Sequence, residues 1–126
     1  ATDRVRSRPL LIVPAFINKY YILDLQPENS FVRFCVEQGF TTFIVSWRNI
    51  PPELGRLGWD DYIEQGVFAP LEAARAITAA DRVNTLGFCV GGTLLASALA
   101  VLAQRAEPPV ASLACSASVS IGLVAR

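Results

Sequence analysis

Six residues, Gly87-Phe88-Cys89-Val90-Gly91-Gly92, limit the fold of this chain more than any other stretch. A β-type run from Val83 to Phe88 leads into them, and an alanine- and leucine-rich helical run leads away. A strand that becomes a helix within two residues must turn so sharply that neighbouring side chains collide unless they are absent. Gly87 and Gly91 meet that need, and Gly92 lets the helix lie close to the strand. Such a junction belongs to an α/β sheet.

The remaining chain supplies matching pieces. Leu10 to Val13 reads as a buried strand ended by Pro14. Pro27, the apolar face of Phe31, Val32, Phe34, Cys35 and Val36, and then Gly39 predict a helix from about Glu28 to Gln38. Phe40 to Trp47, rich in β-branched and aromatic residues, is a second strand. Arg48 to Gly58 is loop. A helical pattern from Asp60 or Asp61 to about Thr78 follows, with Pro70 predicting a kink or two shorter helices. Val83 to Phe88 is the third strand and Gly91 to about Arg105 a third, largely buried helix. Pro108-Pro109 opens a last segment with a fourth strand from Val110. Strand and helix alternate throughout, which predicts an α/β fold: a mostly parallel sheet, right-handed crossovers and helices on both faces, within one piece of one domain.

Composition narrows the function. Eleven basic and eleven acidic residues cancel, so nothing favours nucleic acid or an anionic surface. The one basic cluster, Arg4, Arg6 and Arg8, reads as a frayed, solvated terminus. The stretch Val83 to Gln104 is uncharged and long enough to span a bilayer, as Pro108 to Ala125 nearly is. Asn84, Thr85, Gln104 and the glycine pair instead favour a buried strand and helix, and no membrane span is expected. Cys35, Cys89 and Cys115 are odd in number and far apart, which suits reduced cytosolic thiols. With no histidine in the chain, no metal site is expected.

Cys89 carries the chemistry. Ligands of α/β sheets bind beyond the carboxyl ends of the strands, where this residue falls. Gly-x-Cys-x-Gly is the cysteine form of the nucleophile elbow, with the sulfur held out from a strained turn at a helix N-terminus that favours a thiolate. The amide of Val90 would then face a developing oxyanion. A second donor would come from the loop after the first strand, where Pro14 has no N–H and Ala15 or Phe16 remain. Against this stands the plain reading of cysteine as a small core residue, which Cys35 and Cys115 fit.

The segments PAFINKYYILDLQPENSFVRFCVEQGFTTFIVSW, WDDYI and NTLGFCVGGTLLASALAVLAQR resemble the polyhydroxyalkanoate synthases, from about Arg8 to Leu113. The Gly-Phe-Cys-Val-Gly-Gly form is most similar to class I. The resemblance implies an α/β-hydrolase catalytic domain, of which residues 1–126 are the nucleophile-bearing half. It implies acyl transfer from (R)-3-hydroxyacyl-coenzyme A to a growing polyester on Cys89, without a further cofactor. It also implies a homodimer in the complete protein and a cytoplasmic location at polyester granules.

Three features depart from the family. The histidine base and its aspartate lie downstream of the elbow, whereas this chain has no histidine and its five aspartates precede Cys89. Ala15 stands where a second proline is usual, and Pro70 is unexpected. From Ala114 onward the sequence does not resemble the family's next strand. A cysteine hydrolase of the dienelactone-hydrolase kind, or a non-catalytic structural or binding module, are the competing expectations.

Overall fold

The computed structural model describes residues 4–17, 20–105 and 109–116. It contains one all-parallel sheet of β1 (Leu10–Val13), β2 (Thr42–Ile44), β3 (Val83–Phe88) and β4 (Val110–Ser116), in the order β2-β1-β3-β4. The helices are α1 (Phe31–Glu37), α2 (Trp59–Ile63), α3 (Ala69–Thr78) and α4 (Val90–Ala103). The α/β architecture expected from the alternating pattern is therefore present.

Alternation along β1 divides the core. Successive strand side chains point to opposite faces. Leu11 and Val13 join Ile63, Val67, Leu71, Leu94, Leu95 and Ala98 under α2, α3 and α4. Leu10 and Ile12 face the other way and meet Cys35 of α1. All four β1 residues are buried, which explains a continuous apolar run without polar alternation. On β3, Thr85 is the buried polar residue, and its hydroxyl donates to the Ser112 carbonyl at 2.8 Å, next to the register shift between Val83 and Asn84.

Several boundaries differ from the sequence expectation, each for a local reason. Pro27 opens a short 3-10 turn, Pro27–Asn29, and α1 begins only after Ser30, whose hydroxyl accepts from the Arg33 amide at 2.8 Å. The helix ends as predicted: Gly39 has φ 88°, its N–H donates to Val36 O, and the Phe40 N–H donates to Cys35 O. A Cβ at Gly39 would also sit 2.5 Å from the Arg4 carbonyl. That contact, the Arg6 amide bonded to Gly39 O and the Arg6 guanidinium over the Phe40 ring correct the frayed-terminus expectation. The arginine segment is exposed but tied to the α1–β2 turn.

Two shorter helices, α2 and α3, stand where Pro70 predicted a kink or a division, and the second opens at the proline. A π-helical turn, Glu64–Phe68, joins α2 to α3, and the Ala69 N–H reaches five residues back to Glu64 O. Pro70 then lies in the first turn of α3, where a missing N–H does least harm. β4 continues through Ala114, Cys115 and Ser116, which pair with Leu86, Gly87 and Phe88, although the sequence there is unlike the family's next strand. Residues 117–126 lie outside the described residues, and with them half of the second uncharged stretch. No helix among the described residues is long and apolar enough to cross a membrane.

Among the described residues β2 and β4 are the two sheet edges, and α1 exposes Phe31, Phe34 and Val36, the two rings stacked at 6.2 Å. Open edges and apolar patches favour association. The 126-residue chain on its own is therefore expected to self-associate, as sedimentation velocity would show. A monomer with a sharp, cooperative melt would contradict it.

Candidate active site

β3 ends and α4 begins at Cys89, which has φ 54° and ψ −131°. Among the described residues only Ala79 and Cys89 are non-glycine residues at positive φ. That conformation is costly for a residue with a Cβ, and it persists only where the surroundings enforce it. Here they do. A Cβ on Gly87 would lie 2.4 Å from Gly92 Cα, and one on Gly91 would lie 2.3 Å from Val13 O and 2.5 Å from Pro14 O. The Gly92 N–H closes the first turn on Cys89 O at 2.9 Å. Strand, turn and helix are thus in backbone contact, and Cys89 is half-buried rather than sealed.

The same contacts bring the predicted oxyanion donors to the turn. Val90 is the first residue of α4, and its N–H is among those left without an intrahelical acceptor. Gly91 packs on the carbonyls of Val13 and Pro14, so the loop carrying Ala15 and Phe16 lies against the first turn of α4. Ala15 is 1% exposed, and its amide donates to no backbone carbonyl among the described residues. The helix N-terminus adds partial positive charge beside the sulfur.

The other thiols have different surroundings. Cys35 is buried in the smaller core, and burial pushes its pKa up, so it stays a neutral thiol as a packing residue should. Cys115 is exposed, because β4 is an edge strand, which corrects its expected place in the core. Among the described residues no group of three potential metal ligands comes together. Asp81 lies at the N-terminal end of β3, a strand length from Cys89, beside Arg8. Asp61 instead accepts from the Gly58 N–H at the start of α2.

Sequence reasoning missed an aromatic group beside the loop. Phe16 packs on Tyr62 at 4.8 Å, Trp47 at 5.7 Å and Trp59 at 6.3 Å between ring centroids. A cleft of about 540 Å³ opens beside it, lined by Phe16, Ile17, Trp47, Arg48, Ile50 and Tyr62. Cys89 is not part of its lining; Phe16 links cleft and turn. The available signal was Gly66 inside a helical pattern, since a Cβ there would lie 2.1 Å from Trp47 Cη2.

Residues 1–35 match the family model described as the poly-beta-hydroxybutyrate polymerase (PhaC) N-terminus. The poly(3-hydroxyalkanoate) polymerase subunit PhaC of Cupriavidus necator is 60% identical over 111 residues, covering 88% of this chain and 19% of that protein. That of Rhizobium etli is 46% identical over 105 residues, 83% of this chain and 16% of the relative. Poly(3-hydroxyalkanoate) polymerase 1 of Ectopseudomonas oleovorans is 43% identical over 91 residues, 72% of this chain and 16% of the relative. The chain spans less than a fifth of the length of these relatives. Over most of its residues the chain is thus similar, as a segment, to poly(3-hydroxyalkanoate) polymerases.

Proposed function

We propose that Cys89 is the nucleophile of a polyester synthase and that this chain is the nucleophile-bearing part of its α/β-hydrolase-type catalytic domain. The observation that carries the reading is the positive φ of Cys89 at the head of α4, enforced by glycine contacts on both sides. The thiolate attacks the thioester carbonyl of an (R)-3-hydroxyacyl-coenzyme A. The Val90 amide and an amide of the Ala15–Phe16 loop stabilise the tetrahedral oxyanion. Collapse breaks the old C–S bond, coenzyme A leaves as the thiolate, and the acyl group stays on Cys89. The hydroxyl of another acyl unit then attacks this thioester, loses its proton to a base and returns the Cys89 thiolate. The coenzyme A thiolate and the Cys89 thiolate are similar leaving groups, so transfer of the acyl group from one sulfur to the other meets no deep energy well.

The base is not in this chain, which has no histidine. A complete polymerase would supply it, and these 126 residues alone would turn over no substrate. Short-chain substrates such as 3-hydroxybutyryl-coenzyme A, a homodimer and a place at polyester granules go with the class I reading. The test is peptide mapping of a complete polymerase bearing this segment, quenched during turnover of 3-hydroxybutyryl-coenzyme A. The acyl adduct should lie on the peptide containing Cys89; an adduct confined to another residue, or none, would refute the proposal.

A further inference from the structure

We propose that Trp47 is the positioning residue of the oxyanion loop, which rests on the reading of Cys89 as nucleophile. The ladder between β1 and β2 runs out at Pro14. The Val45 N–H donates to Ile12 O at 3.0 Å, and two residues further along both strands the indole Nε1–H of Trp47 donates to Pro14 O at 2.8 Å. A side chain thus takes the rung that the backbone would otherwise make.

Peptide planarity gives this bond its consequence. In a trans peptide the carbonyl and the following N–H point in opposite directions, and the described residues contain no cis peptide. Fixing the Pro14 carbonyl therefore fixes the direction of the Ala15 N–H, the buried amide that donates to no backbone carbonyl among the described residues. The same indole holds the next residue, since its ring meets Phe16 edge-on at 5.7 Å. Trp47 restrains the loop on both sides of Ala15, so either candidate donor depends on it. Gly66 makes room: its missing Cβ is the space occupied by the outer ring of the indole. The π-helical turn brings that glycine to face Trp47 in the middle of a helical run.

Oxyanion geometry is used when a carbonyl oxygen gains charge, and not when sulfur displaces iodide. This separates positioning of the loop from damage to the cysteine. In a complete polymerase bearing this segment, Trp47→Phe keeps an aromatic ring and removes the N–H. The expected result is a kcat for coenzyme A release lowered about tenfold to hundredfold, with KM and the rate of Cys89 alkylation by iodoacetamide changed by less than about threefold. Gly66→Ala should act in the same direction by displacing the indole. In the Trp47→Phe background it should add nothing, because phenylalanine lacks the outer ring that the new methyl meets. If Trp47→Phe fails to fold, Gly66→Ala is judged by the same two rates. An unchanged kcat in the folded variants, or a fall matched by the alkylation rate, would overturn the role of Trp47 and leave Cys89 as nucleophile. Turnover surviving Cys89→Ala would instead remove the reading on which it rests.

Discussion

Replacing Cys89 with glycine in a complete polymerase bearing this segment should give a protein that is inactive and more stable than the alanine variant. Both substitutions remove the sulfur. Loss of a nucleophile that acts with a base typically lowers kcat by about 10⁴-fold or more, equivalent to at least about 5 kcal/mol of transition-state stabilisation. The two variants differ in the backbone. Alanine keeps a Cβ at φ 54°, ψ −131°, a conformation worth roughly 1–3 kcal/mol of strain, whereas glycine adopts it freely. Glycine also makes the unfolded chain more flexible, at about 0.5–1 kcal/mol. The net advantage of glycine over alanine is therefore about 1 kcal/mol, readable as a higher urea midpoint with an unchanged slope. Equal midpoints would mean that the turn stores no strain, and normal coenzyme A release by either variant would remove Cys89 from the chemistry.

How much of this was readable from sequence depended on whether the cause was local. β1 and β3 were placed at their observed bounds because both end in residues that stop a strand, Pro14 and the Cys89 turn, and β1 is the apolar run that a doubly covered parallel strand needs. The end of α1 was readable from Gly39 for the same reason. Its start was not, because Pro27 also suits a 3-10 turn and Ser30 provides the actual cap. Cys115 was misplaced since edge or interior is a property of the sheet, not of β4. The clearest loss was Trp47. As the last residue of an apolar aromatic run it read as strand, yet β2 ends at Ile44 and the indole turns to a carbonyl 33 residues earlier in the chain. No local pattern encodes such a contact. The cysteine turn was legible because its three glycines fall within one six-residue stretch of sequence as well as together in space.

A second large effect is expected at Gly91. An alanine Cβ there would stand 2.3 Å from Val13 O, 2.5 Å from Pro14 O and 2.6 Å from Pro14 C. All three are backbone atoms of fully buried residues, so no rotamer change can relieve the overlap. Either α4 moves off β1, loosening Leu94 and Leu95 in the core, or the Pro14 loop is pushed away from the turn. Forced overpacking of this kind destabilises by about 1–3 kcal/mol, and backbone on both sides places Gly91→Ala at the upper end. Gly58→Ser is the matched control: a Cβ at Gly58 meets nothing nearer than Asp61 Oδ2 at 3.9 Å, and serine suits the N-cap of α2, so its change should stay within about 0.5 kcal/mol. Activity separates the two modes of relief. A loop displaced relative to Cys89 would lower kcat at temperatures where Gly91→Ala is still folded, whereas a shifted helix would lower the melting temperature first. If Gly91→Ala were as stable and active as the parent, the helix and the Pro14 loop could not be in contact, and Val90 and Ala15 would not share one site.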